Sequence, residues 1–162
     1  MVNFRLLLKG VTQTMYDSTN DTYEHIKKVN DYIWDIIDSL HLRRLFHDDS
    51  KLESPEKEIF DVYTPKLKEC VYGSEEYQTH LTEMKVALEH HYKNNRYHIE
   101  HFKNGIQGMT LIDLIEMICD WKAATLRNKD GDILKSIEMN QKRFGYSDEL
   151  KQILINTVKE EL

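Results

Sequence analysis

The chain is poor in cysteine. Cys70 and Cys119 are the only two, and they stand too far apart for a Cys-x-x-Cys pair. This argues against a disulfide scaffold and a structural zinc knuckle, and makes the cytoplasm the expected setting (the host's, were the chain phage-encoded). No apolar run approaches the roughly 20 residues of a membrane span, so no membrane partner is expected. The opening MVNFRLLLKG has a short leucine run but neither a long apolar region nor a small-residue cleavage site, and reads as part of the fold. There is no basic excess either. Asp and Glu number 28 against 22 Lys and Arg, a net charge of −6, which argues against general nucleic-acid binding. A small phosphorylated substrate stays compatible, because bound cations reverse the local sign. Repeats, low-complexity tracts and linker-like segments are missing, so residues 1–162 are expected to form a single domain.

What is present is helical. No segment alternates with period two. From Asp17 or Asn20, an apolar stripe of Ile26, Val29, Ile33, Ile36, Ile37 and Leu40 runs at spacings of three and four. A short helix is expected from Leu42 to His47. Ser54-Pro55 opens another, and Thr64-Pro65 opens one more. Ser74 with Glu75 and Glu76 caps a long helix ending near His91. Residues 94–109 read as loop, and Thr110 caps a helix whose buried side is Leu111, Leu114, Ile115 and Ile118. Asp130-Gly131 is a turn, followed by helices over about Ile133–Phe144 and, after Ser147, Glu149–Val158. The expected fold is all-α, a bundle of roughly seven helices.

Eight histidines are many for this length. His25 precedes Val29 by four and shares its face, either as a core histidine or as a ligand. The stretch FHDDSK places His47 and Asp48 side by side, with Lys51 close behind. Asp120 lies in the apolar IEMICDWKAA. A buried carboxylate without a partner is costly, so it requires an arginine, a lysine or a metal ion. His90-His91 closes an apolar-faced helix, as one ligand and one substrate contact or as one core and one solvated residue. Such His and Asp ligands suit one or two divalent ions among Mn, Fe, Co, Ni, Zn and Mg. His41 and His80 fit no position in this set, and Arg43-Arg44 reads as a solvated face.

The order H…HD…HH…D on a helical chain resembles the HD-domain superfamily of metal-dependent phosphohydrolases, over about residues 20–127. HDDSK is similar to the HDxGK of that superfamily. HHYKNNRYHIEHFKNGIQGMTLIDLIEMICDWKAAT is similar to the segment of HD-GYP phosphodiesterases that runs from paired histidines to a metal-binding aspartate. The Gly-Tyr-Pro signature itself is absent, and Arg96-Tyr97-His98 stands nearby. The chain also looks like a small, poorly characterised group of phage and bacterial HD-like proteins. The resemblance implies an HD-like bundle with His25, His47, Asp48 and Asp120 as metal ligands. His90 and His91 would complete a second metal position or hold the substrate.

The expected activity is hydrolysis of a nucleotide phosphate ester or anhydride by a metal-activated water. Asp48 would bridge ions, Lys51 would meet a phosphate oxygen or leaving group, and Asp49 would orient the water. Arg96 is the first expected phosphate clamp, since guanidinium binds phosphate bidentately. Lys122, Arg127 and Lys66 follow, with His98 and His101 lining the pocket. Two alternatives stand beside this: a phosphodiesterase for cyclic nucleotide signals, suited to phage counter-defence, and a non-catalytic metal-containing module that binds nucleotide or protein.

Overall fold

The computed structural model describes residues 16–71, 73–127 and 131–162. The opening segment and Asp130 of the expected turn lie outside them. Among the described residues there are seven α-helices and no strand, so the chain is all-α. None of these helices is long and apolar enough to cross a membrane. The chain divides into two compact units, Met1–Asp38 and Ser39–Leu162.

Helix α1 is Thr19–Phe46, and its last residues belong to the second unit. Asp17 starts it by accepting the Thr19 N–H at 3.0 Å. The separate helix expected from Leu42 is absent: no glycine or proline interrupts residues 19–46, so the helix runs on. Among the described residues no residue of α1 is buried.

The second unit carries the rest. Helix α2, Glu56–Glu69, runs through Pro65 rather than restarting there. The proline removes one bond to the Asp61 carbonyl, and exposed Asp61 leaves that group to water. Ser74 caps α3, Glu75–Glu83, its Oγ accepting the Tyr77 N–H at 3.1 Å. The expected long helix breaks at fully buried Met84, and α4 follows as Lys85–Asn94. Residues 99–108 contain two short 3-10 turns. Thr110 and Asp113 form a capping box that opens α5, Leu111–Thr125. Helix α6, Ile133–Phe144, ends at Gly145, whose φ of 68° favours glycine. Ser147 caps α7, Asp148–Glu160.

The core gathers Tyr97, Ile99, Met117, Ile118, Ile137, Tyr146, Leu154 and Val158. Of the face expected to be buried on α5, Ile118 lies in the core and Leu114 packs against it, but the other two residues do not. Leu111 is 74% exposed and Ile115 39%, whereas Asp113 is fully buried beside Met117 and Ile118. The charge on Asp113 is matched by two arginines, which lets the helix turn that side inward.

Candidate metal centre

In a continuous helix His47 and Asp48 would point about 100° apart. Helix α1 stops at Phe46, and Asp48 takes the left-handed conformation, φ 63° and ψ 10°, before the 3-10 turn Asp49–Leu52. Aspartate tolerates this conformation better than most residues. The reversal brings both side chains to one place. His47 Nε2 lies 3.7 Å from Asp48 Oδ2 and 3.8 Å from Asp120 Oδ1, which α5 supplies. One donor atom from each of the three lies within 4.8 Å of the others.

The other ring nitrogen of His47 is committed. Its Nδ1 lies 2.9 Å from Glu116 Oε1, and Glu116 stands four residues before Asp120 on the same side of α5. A carboxylate on one imidazole nitrogen aims the other at a metal. The Asp120 and Glu116 carboxylates hold the imidazolium and raise its pKa to about 10. Ligation of an ion through Nε2 would therefore displace a proton. Burial alone would raise the Asp48 pKa. The Lys51 charge and hydrogen bond, the Tyr97 hydroxyl and the His47 charge outweigh it and hold the group below its ordinary value.

Lys51 Nζ is 2.6 Å from Asp48 Oδ2, and the Tyr97 hydroxyl donates to Asp48 Oδ1. His91 Nε2 stands 3.4 Å from Oδ1, so the two oxygens of Asp48 face different imidazoles. His91 Nδ1 pairs with Glu56 Oε2 at 2.8 Å, and His90 Nδ1 pairs with Glu56 Oε1 at 2.7 Å. Glu56 is fully buried and holds both histidines.

Asp120 and Tyr97 also line a cleft of about 630 Å³, with His98, Tyr92, Trp121, Lys135 and Arg143. That volume suits a small-molecule ligand. His98 Nε2 is buried without a hydrogen-bond partner. Burial first, then neighbouring His91, lowers its pKa to about 3, so the ring is neutral.

Of the residues expected from sequence, the structure brings together His47, Asp48 and Asp120, with His91 and Lys51 touching the group. His90 turns to Glu56 instead. His25 is an exposed residue of the first unit, and Asp49 of the second is exposed. Arg96 pairs with Asp113 at 3.2 Å and covers the Phe102 ring. His101 Nδ1 donates to the Tyr92 carbonyl at 2.9 Å. Lys66, Lys122, Arg127, Arg96 and His101 are not among the residues lining the cleft, whereas His98 is.

The solvated reading of Arg43 is corrected: it binds Asp113 Oδ1 at 2.7 Å and Glu116 Oε2 at 3.0 Å. Sequence reasoning missed Glu56, Glu116, Lys135 and Arg143. Glu116 was legible as the residue four before Asp120, whereas Glu56, in the first turn of α2, carried no signal of its burial.

The model of a family of unknown function, DUF5662, matches residues 14–160. The chain belongs to that family. No curated protein and no solved structure matches it. The donor set itself, one imidazole and two carboxylates with an oriented ring, fits a divalent ion.

Proposed function

We propose that the chain is a metal-dependent phosphohydrolase of the HD type that acts on a phosphate ester or anhydride of a nucleotide. The observation that carries this reading is the convergence of His47, Asp48 and Asp120, with Asp120 shared between that group and a nucleotide-sized cleft. A divalent ion held there would supply Lewis acidity and a lowered pKa for bound water. The remaining work falls to the chain's own side chains. Glu116 fixes the His47 ring, and Tyr97 and Lys51 hold Asp48 in place. Lys51 brings a positive charge within reach of a phosphate oxygen beside Asp48, where transition-state charge develops. His98 offers one uncommitted ring nitrogen to the ligand. Trp121 and Tyr92 give flat apolar walls, and Lys135 and Arg143 bring cationic groups to the cleft lining.

A phosphodiesterase for cyclic nucleotides is the second reading. The placement of Asp48 between His47 and His91 favours it, since that carboxylate can bridge two ions. Incubation of the Mn²⁺-loaded protein with mono-, di- and cyclic nucleotides decides between them. Release of phosphate from a linear nucleotide is the expected result. Lys51→Ala should lower kcat by roughly a hundredfold with the ion still bound, as loss of one transition-state donor does. Opening of a cyclic nucleotide alone supports the second reading. No turnover of any nucleotide overturns both and leaves a metal-containing binding module.

A further inference from the structure

We propose a second metal site, made by Cys70, Glu76 and His80, that takes Zn²⁺ or a similar borderline-soft divalent ion. It shares no donor with the His47, Asp48 and Asp120 group, although Cys70 also lines the cleft beside Asp120. Cys70 is the first residue beyond the end of α2. Glu76 and His80 are four apart on α3 and so share a face. Helices α2 and α3 are packing neighbours, which brings the thiol to that face. One atom from each residue, the Cys70 Sγ, a Glu76 carboxylate oxygen and a His80 ring nitrogen, lies within 4.8 Å of the other two. Ligands on a tetrahedral zinc stand roughly 3.3–3.8 Å apart, from bond lengths of about 2.0–2.3 Å. Closing the group on an ion therefore asks for movements of about 1 Å, which exposed Glu76 is free to supply.

Burial and then the Glu76 carboxylate raise the Cys70 pKa, so an ion must displace that proton, but the surroundings of His80 suit ligation. His80 Nδ1 is 3.1 Å from Glu83 Oε2, an outer carboxylate that holds one ring nitrogen and leaves the other for an ion. The Tyr63 ring packs against the imidazole at 5.8 Å. Thiolate with imidazole selects zinc or cobalt over magnesium and calcium, unlike the imidazole and two carboxylates of the first group. Three protein donors leave a fourth position for water. Ligation releases the thiol proton to solvent and ties the end of α2 to α3.

Titration of the chelator-treated full chain with Co²⁺ tests the site, because only a thiolate ligand produces the near-ultraviolet sulfur-to-cobalt charge-transfer band. The band is expected in the wild type, in Asp48→Asn and in Cys119→Ser, and added Zn²⁺ should bleach it. Cys70→Ser should abolish it. His80→Ala, which leaves the thiol untouched, should weaken the cobalt affinity by roughly tenfold or more, at least what loss of an outer-shell partner costs. Far-ultraviolet circular dichroism confirms that each variant is folded. Absence of the band in the wild type, its survival in Cys70→Ser, or an unchanged affinity in folded His80→Ala overturns the proposal. A lost thiolate band with intact Mn²⁺-dependent turnover would remove this site alone.

Discussion

Glu56 and Asp120 are carboxylates on helices of the same unit, and both face histidines that the primary structure marks out. Glu56 is sealed from water between His90 and His91, each of its oxygens within 2.8 Å of a ring nitrogen. That group is closed, since the carboxylate and both Nδ1 atoms are already paired. Around His47 the balance is reversed. Two carboxylates, Asp48 and Asp120, face one nitrogen at 3.7 and 3.8 Å, beyond hydrogen-bond length. Here the acids outnumber the imidazole, and Lys51 and the Tyr97 hydroxyl hold Asp48 in place beside it. The first group reads as a structural clamp and the second as a candidate site.

The sharpest way to break this comparison is to empty the clamp. Glu56→Ala leaves two imidazoles without their shared acceptor and should cost about 3 kcal/mol or more. For a chain of this length the melting temperature should fall by roughly 10 °C. The loss should be equal with chelator and with Mn²⁺. A drop seen only with Mn²⁺ would make Glu56 part of the metal site instead.

Asp48→Asn acts on the other group, keeping the shape and the tolerance of a positive φ while removing the charge. Isothermal titration should show Mn²⁺ binding weakened by more than the roughly 10–100-fold that loss of an outer partner costs. Saturating Mn²⁺ should raise the melting temperature of the wild type by several degrees and leave that of the variant unchanged. Equal affinities in the two proteins would refute the assignment.

Glu116→Gln probes the step between the groups. It touches His47 through Nδ1 alone, so Mn²⁺ affinity should fall roughly 10–100-fold without being abolished. Full loss would make Glu116 a ligand, and no change would make it a bystander.

The smallest expected effect lies at Asp113, fully buried between Arg43 and Arg96. Burial alone would raise its pKa. The Thr110 backbone N–H, Arg96, the Thr110 hydroxyl and Arg43 together hold it below the ordinary carboxylate value. A depressed native pKa gives stability that is present above the unfolded value of about 4 and lost as pH falls through the native value. Asp113→Asn should cost about 1–2 kcal/mol at neutral pH, the difference between charged and neutral hydrogen bonds. It should also flatten the fall in stability below roughly pH 4. An unchanged acid limb in urea melts would remove Asp113 from that dependence.

Much of the helical layout was legible from residues alone. Ser74, Thr110 and Ser147 cap the helices they were expected to cap, and α6 spans the expected residues. Caps and apolar spacing act over three or four residues, so a linear reading captures them. The same locality explains the misses. Pro65 carries the signature of a helix start yet sits inside α2, and Met84 breaks a pattern that looked continuous.

The amino-acid sequence by itself determined an all-α chain and marked His47, Asp48 and Asp120 as chemistry-bearing. Their residue types and helical placement are local properties. Only the tertiary structure decided which acids and histidines stand against one another. Glu56 reaches His91 from 35 residues away, Arg43 reaches Asp113 from 70, and His80 meets Cys70 across a helix junction. Separation along a chain carries no distance in space, so those pairings exist only once the helices have packed.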